Sequence, residues 1–183
     1  YPYNAGGNLL GYVTEVDRDF LDKHPDYAAG DYTGRTGLEE TCESMLRGEK
    51  GYSIYLRDAS NRIQSSYRDG AFDKPAVPGR DVVSTIDTDL QNYGEMLMRN
   101  KVGSVIAIEP ATGEILSMIS SPGIDVSVRG QINKYYGEIA SDPFTPMFNR
   151  AVMSPQPPGS VFKLVNALIG LQEGVITPAT EFP

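Results

Sequence analysis

The sequence predicts an α+β fold that is divided into two domains. Helical and strand patterns occur on both sides of residues 69–79, a turn-rich stretch in which prolines and glycines interrupt every period. The composition, 40% hydrophobic and 22% charged, is that of a soluble globular protein with a sizeable core. We therefore predict a mixed α and β domain over residues 1–79 and a second domain over residues 80–183.

In the first domain, a helix is predicted from Thr36 to Arg47. Thr36 and Glu39 have the spacing of a capping box, and Gly48 follows the end of the pattern. Four residues share its apolar face: Leu38, Cys42, Met45 and Leu46. Because Cys42 is the single cysteine, no disulfide can form within the chain, and we interpret it as a core residue rather than a reactive thiol.

Each domain has a predicted β-hairpin. The first joins residues 53–57 to residues 62–67. The second joins β-branched or apolar runs at residues 103–109 and 114–120 through Pro110-Ala111-Thr112-Gly113, which is typical of a tight turn. Residues 121–157 have no sustained period, and we interpret them as irregular.

Between the boundary and the second hairpin, a strand is predicted from Asp81 to Ile86. Thr88 and Gln91 form a second possible capping box, which opens a helix that Gly94 weakens slightly. The apolar residues of this helix lie along one side: Leu90, Tyr93 and Leu97.

The strongest helical pattern runs from Ser160 to Leu171. It is apolar nearly all round, which predicts a buried helix, and Lys163 is its single charged residue. Burying an unpaired ammonium group is costly, so this lysine needs a specific reason.

Ser160 lies three positions before Lys163, which puts both side chains on one helical face just after Pro157-Pro158-Gly159. A serine is a weak nucleophile by itself, and a lysine whose pKa is lowered by desolvation can take its proton. The free N–H groups of the first turn could face a developing oxyanion. A helix-capping serine followed by a lysine whose ammonium reaches solvent explains the same residues, and these residues alone leave both interpretations open.

Other classes of function find little support. The net charge of −8, with both signs interspersed, gives no basic patch for nucleic acid. His24 is the sole histidine and is interpreted as a solvated loop residue, so a serine–histidine triad or a histidine metal site is not expected. The acidic residues Asp17, Asp19, Asp22 and Asp26 lack EF-hand spacing, and we interpret them as structural. No cofactor or metal is predicted, and no apolar run is long enough to span a membrane.

Short motifs occur in order along the whole chain. They are Tyr1-Pro2 with Leu10-Gly11-Tyr12-Val13, Gly34-Arg35-Thr36-Gly37-Leu38-Glu39, Leu46-Arg47-Gly48, Thr85-Ile86-Asp87 with Leu90-Gln91, Pro110 to Leu116 through Ser120-Ser121-Pro122, and Asn149-Arg150-Ala151 with Pro157 to Lys163. Together they resemble the class B penicillin-binding proteins, the monofunctional transpeptidases that cross-link peptidoglycan. A chance Ser-x-x-Lys would not follow these motifs in order, so the resemblance favours the catalytic interpretation.

The resemblance implies a non-catalytic pedestal over residues 1–79 and the N-terminal part of a β-lactamase-like transpeptidase domain over residues 80–183. It implies that Ser160 is the acylated nucleophile, that Lys163 is the base that activates it, and that the Ser160 amide is an oxyanion donor. Asp142-Pro143 to Arg150 is more similar to elongation-type members than to division-type ones.

For the parent protein the resemblance implies a periplasmic catalytic domain anchored to the inner membrane. Its substrates would be peptidoglycan stem peptides, β-lactams would acylate it, and its partners would include a wall-synthesis glycosyltransferase and scaffold proteins. A β-lactam sensor or a non-enzymatic interaction module of a wall-synthesis complex are the alternatives. The pedestal-like first half argues against the sensor.

Two motifs that complete this family's active site, Ser-x-Asn and Lys-Thr-Gly or Lys-Ser-Gly, do not occur in the sequence. We therefore expect the chain to be a fragment of a longer protein and to be inactive by itself. We also expect a sheet edge and the apolar helix at residues 160–171 to lie partly uncovered.

Overall fold

The computed structural model describes residues 3–181 and has the α+β architecture expected from the sequence. Tyr1 and Pro2, which begin the first motif, lie outside the described residues. The chain divides into two compact units, Tyr1–Met153 and Ser154–Pro183. Within the described range, every strand belongs to a two-stranded antiparallel sheet.

Residues 3–70 form short helices and two small sheets. In chain order these elements are α1 (Gly7–Leu10), β1 (Val13–Glu15), α2 (Arg18–Leu21), β2 (Tyr32–Gly34), α3 (Gly37–Thr41), α4 (Glu43–Leu46), β3 (Tyr55–Arg57), β4 (Ile63–Ser66) and a 3₁₀ turn at Tyr67–Gly70. Strand β1 pairs with β2, and β3 pairs with β4. The β3–β4 pairing confirms the first predicted hairpin.

The helix predicted from Thr36 to Arg47 is broken into α3 and α4 at Cys42, where φ is −102° and ψ is 11°. The break sets the Glu43 carboxylate to accept hydrogen bonds from the Gly34 N–H and the Tyr27 hydroxyl, both at 2.9 Å. The side chain of Thr36 makes no capping hydrogen bond, so the predicted capping box is wrong. Cys42 is half-buried rather than a core residue, because the broken helix has no continuous buried face.

Two of the four acidic residues that we interpreted as structural, Asp17 and Asp26, make local side-chain contacts. Asp17 caps α2 by accepting a hydrogen bond from the Phe20 N–H at 2.8 Å, which holds the pKa of its carboxyl below the ordinary value. Asp26 is paired with Arg47. His24 is exposed, as predicted, and its ring stacks on Phe20 with the ring centres 4.0 Å apart.

Residues 71–87 are extended or turned and contain no named strand, so the strand predicted from Asp81 to Ile86 is wrong. The end of this segment runs beside the second hairpin but does not form a ladder with it. The Thr85 hydroxyl donates to Ile115 O at 2.7 Å, and the Asp87 N–H donates to Leu116 O at 2.9 Å. Two isolated contacts align the segment without the repeating backbone pairs of a strand.

The second part of the unit contains α5 (Thr88–Met98), β5 (Gly103–Ile108), β6 (Ile115–Ser121), a 3₁₀ turn (Val126–Gln131), α6 (Ile132–Ser141) and α7 (Arg150–Met153). Strands β5 and β6 pair from Gly103 opposite Ser121 to Ile108 opposite Ile115. This confirms the second predicted hairpin. Helix α5 packs on β6.

The orientation of α5 differs from the predicted one. Its cap is Asp87, whose carboxylate accepts from the N–H groups of Asp89 and Leu90, so the predicted Thr88 and Gln91 capping box is wrong. Gln91 is instead buried against β6, while Leu90, Tyr93 and Leu97 are exposed. Gly94 faces the buried Ile119, where a Cβ would lie 2.1 Å from the Ile119 Cδ1. Gly94 lowers the helix propensity of α5, but the close contact with Ile119 requires a residue without a Cβ at this position.

The interpretation of residues 121–157 as irregular is wrong, since this stretch contains α6 and α7. Ile132, Tyr135, Tyr136 and Ile139 have the i, i+3, i+4, i+7 spacing of an amphipathic helix, which the surrounding prolines and glycines obscure. Ile132 is 1% exposed and forms the centre of an apolar core. Its partners there are Tyr12, Ile124, Val128, Ile139 and Met147.

Gly7 approaches the backbone of residue 124 so closely that an added Cβ would lie 1.7 Å from Ile124 O. Gly7→Ala should therefore lower the free energy of unfolding by about 3 kcal/mol, the upper end of the usual cost of overpacking, because a backbone must move. Gly137→Ala is the matched control, since a Cβ there meets no atom within 4 Å in α6, and it should stabilise by up to about 1 kcal/mol. Denaturant unfolding of both variants would contradict the packing argument if their stabilities were equal.

Candidate active site

Ser160 lies in a 3₁₀ turn, Gly159–Val161, that leads directly into α8 (Phe162–Gln172). Pro157 and Pro158 precede the turn, and Gly159 has a φ of 62°, in the left-handed region that favours glycine. This local sequence places Ser160 at the start of the helix, as predicted.

The serine hydroxyl does not cap this helix. The residue at the N-cap position of α8 is Val161, and no side-chain hydrogen bond caps either the 3₁₀ turn or α8. The capping alternative for Ser160 is therefore not realised in the structure. Its hydroxyl is left available at the beginning of the helix.

Lys163 lies in the first turn of α8, three positions after Ser160. Residues at this spacing fall on one side of a 3₁₀ or α-helical turn, so both side chains point to the same side of the helix. Both residues are exposed, and within residues 3–181 no hydrogen bond joins them. The structure brings the pair to one helical face but does not show the proton-transfer contact itself.

The prediction that the helix at residues 160–171 is buried is wrong for this structure, whereas the expectation that it lies partly uncovered is confirmed. Leu164 and Leu168 are 70% and 67% exposed, and Val161 is also exposed. A helix that is apolar all round must be covered from several sides. Among residues 154–181 of this unit, α8 and the 3₁₀ turn before it are the named elements, and no second layer covers the helix there.

Upstream of the candidate site, Arg150 binds the loop that precedes α7. Its guanidinium donates to the carbonyl oxygens of Phe144, Thr145 and Phe148 and to the Thr145 hydroxyl. The backbone N–H of Arg150 donates to Ser120 Oγ at 2.9 Å. We call residues 144–150 the Arg150 loop. The sequence motif Asn149-Arg150-Ala151 marked this region, but it did not indicate that the guanidinium binds backbone carbonyl oxygens.

Asn8 also contacts this loop, and nothing in the sequence pattern singles it out. It lies in a glycine-rich stretch without a recognisable motif, and its side chain contacts residues more than a hundred positions away. Such contacts cannot be read from local spacing.

Among residues 3–181, no group of three or more His, Cys, Asp or Glu side chains could hold a metal ion. No helix in the same range is both long and apolar enough to cross a membrane. A cavity of about 470 Å³ in the first unit lies between the N-terminal segment, α5 and the turn after β6. Ser160 and Lys163 do not line it.

Two family models match this chain, one in its first half and one in its second half. The family described as the penicillin-binding protein dimerisation domain matches residues 1–84, and the penicillin-binding protein transpeptidase domain matches residues 103–183. The chain belongs to the class B penicillin-binding proteins. The predicted family and the α+β fold class are thereby confirmed. Ser160 and Lys163 lie within the matched transpeptidase stretch.

Individual penicillin-binding proteins are similar over the whole chain. The peptidoglycan D,D-transpeptidase MrdA of Salmonella typhimurium is 34% identical over 191 residues, which cover 100% of this chain and 30% of that protein. PBP2 of Helicobacter pylori, solved in complex with MreC, has a TM-score of 0.76 at 26% identity and covers 100% of this chain and 34% of its own. Pseudomonas aeruginosa PBP2, solved with WCK 5153, has a TM-score of 0.73 at 30% identity over 98% of this chain and 36% of its own. The chain therefore spans about a third of the length of these relatives.

The exposed apolar surface of α8 should make this chain self-associate. Replacing Leu164 and Leu168 together by Glu should shift the chain towards monomer in light scattering, because two charges oppose apolar contact. Val83→Glu is the control, since it adds one glutamate away from α8, at a residue that is 93% exposed in the extended segment before α5, and should leave self-association unchanged. A chain that is monomeric at high concentration before any substitution would contradict the prediction.

Proposed function

We propose that the full-length protein is a serine D,D-transpeptidase that cross-links peptidoglycan, with Ser160 as the nucleophile and Lys163 as the base. The observation that carries the proposal is the position of Ser160. Its hydroxyl is exposed at the start of α8, is not used as a cap, and shares a helical face with Lys163 inside the stretch that matches the transpeptidase family.

The reaction begins when the neutral Lys163 amine takes the Ser160 proton and Ser160 Oγ attacks a carbonyl carbon of the stem peptide. The oxygen of that carbonyl becomes an oxyanion, which the Ser160 N–H at the helix start stabilises. As the intermediate collapses, the scissile C–N bond breaks and the leaving amine takes the proton. The amine of a second stem peptide then attacks the carbonyl carbon of the acyl-serine ester and gives up a proton to the neutral Lys163 amine. The C–O bond to Ser160 breaks as Lys163 returns that proton to Ser160 Oγ, which leaves the new amide cross-link and the free serine.

The base role requires the neutral amine, and removing an ammonium group from water favours that form. Lys163 is exposed among the described residues, and so are the apolar side chains around it. In the full-length protein the remainder of the transpeptidase domain covers α8 and desolvates Lys163. The same contacts bury the apolar surface of α8, so the packing that stabilises the helix also excludes water from Lys163.

We infer the cellular role of the full-length protein from its similarity to the relatives. The similarity to MrdA proteins over the whole chain supports an elongation-type enzyme, and the Helicobacter pylori PBP2 complex with MreC supports binding to a scaffold protein. The full-length protein acts in the periplasm from an inner-membrane anchor, is acylated by β-lactams, and works with a glycosyltransferase of wall synthesis. Its pedestal and transpeptidase domains meet within residues 69–79.

Ser160→Ala in the full-length protein should abolish covalent labelling by a fluorescent penicillin, because alanine has no hydroxyl to acylate. The thermal unfolding midpoint should stay unchanged, since Ser160 is exposed. Ser154→Ala removes a nearby hydroxyl on the same segment and should label like the wild type. Persistent labelling of the Ser160 variant would mean that another residue is the nucleophile.

Lys163→Arg tests the base role separately. Arginine keeps the positive charge but does not deprotonate at accessible pH, so the acylation rate should fall by about 10²-fold or more. Lys134→Arg, at an exposed lysine of α6, is the control and should acylate normally. Near-normal acylation of the Lys163 variant would show that this residue acts only as a fixed charge.

A further inference from the structure

The cavity of about 470 Å³ in the first unit has walls from three parts of the chain. They are the stretch that matches the dimerisation domain, the stretch that matches the transpeptidase domain, and helix α5 between them. All the lining residues belong to the compact unit Tyr1–Met153, so the walls lie within one body. The volume falls within the range of about 300 to 1,000 Å³ that small-ligand sites have.

The lining of this cavity is unusually polar for a small-ligand site. Four asparagines, two acidic residues and one arginine make up seven of its seventeen lining residues. Most such sites are lined mainly by apolar and aromatic side chains. Each of the seven side chains ends in a planar group with two or more adjacent hydrogen-bonding atoms. The lining therefore suits a ligand that carries many hydrogen-bonding groups.

Arg99 and Asn100 line the cavity just after the end of α5. An arginine near the end of a helix commonly binds the last carbonyl groups. Here the Ser121 hydroxyl binds two of them instead, Met98 O at 3.0 Å and Lys101 O at 2.8 Å. In the described part of the chain, no hydrogen bond or ion pair involves the side chain of Arg99 or of Asn100. Both side chains are therefore available to a ligand.

Two carboxylates supply acceptors in the same cavity. Glu95 Oε1 accepts from the Gly6 N–H and from Gln91, and Asp125 Oδ1 accepts from the N–H and the hydroxyl of Ser127. The second oxygen of each carboxylate accepts no hydrogen bond from any residue that the structure describes. The Ser127 hydroxyl holds the pKa of the Asp125 carboxyl below its ordinary value, so this group stays ionised at neutral pH. The cavity thus has free donors and free acceptors together.

A sugar matches this mixture of groups. Each hydroxyl both donates and accepts a hydrogen bond, and an acetamido group has one N–H and one C=O that a carboxamide such as that of Asn92 or Asn100 can pair. We propose that the cavity binds a short saccharide of acetamido sugars, the glycan part of peptidoglycan. This inference rests on the proposed function, because peptidoglycan is the proposed source of these sugars. Ser160 and Lys163 contribute nothing to the cavity.

The test titrates the full-length protein with diacetylchitobiose, a disaccharide of acetamido sugars, before and after acylation by benzylpenicillin. Binding, followed by calorimetry, should be the same in both states, because the acylated serine does not line the cavity. Cellobiose has the same ring skeleton without acetamido groups. It should bind at least about tenfold more weakly, because it leaves the side-chain amides unpaired.

Two substitutions locate the binding in the cavity. Arg99→Ala and Asn100→Gly remove free side chains and keep the fold, because Arg99 is exposed and glycine favours the left-handed φ of 61° at Asn100. Each should raise the Kd for diacetylchitobiose about tenfold. Arg80→Ala is the matched control, since Arg80 is an exposed arginine outside the cavity lining, and its Kd should change by less than about twofold. Thermal unfolding midpoints check that all three variants are folded.

The outcomes separate the glycan site from the proposed function. Absence of penicillin labelling would overturn the proposed function, and the titration of the unacylated protein would still decide whether the cavity binds the sugar. Loss of sugar binding on acylation would mean that the saccharide occupies the active site instead. That result, no binding by the wild type, equal binding of cellobiose, or an equal loss in Arg80→Ala would each overturn the glycan site and leave the proposed function intact.

Discussion

The backbone N–H and C=O of Met118 in β6 both pair with the side-chain amide of Gln91, and the arrangement of the first unit depends on these two hydrogen bonds. Gln91 accepts from the Met118 N–H at 2.8 Å and donates to Met118 O at 2.9 Å. Its Nε2 also donates to Glu95, and Glu95 in turn accepts from the Gly6 N–H. Because a buried amide that loses its partners is costly, these bonds set the rotation of α5 on the hairpin and tie both to the N-terminal segment.

Buried polar links are important here because the described apolar core is small. It is centred on Tyr12, Ile124 and Ile132, while much of the apolar surface of β5 and α5 is exposed. Apolar contact is not directional, so a small core leaves several relative positions of its segments similar in energy. Hydrogen bonds between a buried amide and particular backbone groups select one of them.

At the candidate site, local chemistry and long-range packing have different roles. The Pro-Pro-Gly sequence, the left-handed Gly159 and the spacing of Ser160 and Lys163 define a helix start from neighbouring residues alone. The solvent exposure of Ser160 and Lys163 does not follow from these neighbouring residues. A lysine becomes a base when its surroundings exclude water, and these surroundings come from segments other than its own helix.

Local patterns in the sequence determined the two hairpins, the α+β class, the family motifs and the start of the helix that carries Ser160. Only the tertiary structure decided that the predicted helix breaks at Cys42, where Glu43 accepts from Gly34, and that Gln91 is the buried residue of α5. It also decided that the apolar helix is exposed and that Asn8 binds the Arg150 loop. The physical reason is range: turns and helix starts depend on adjacent residues, whereas the partner of a buried polar group or an apolar face can be any segment that folding brings beside it.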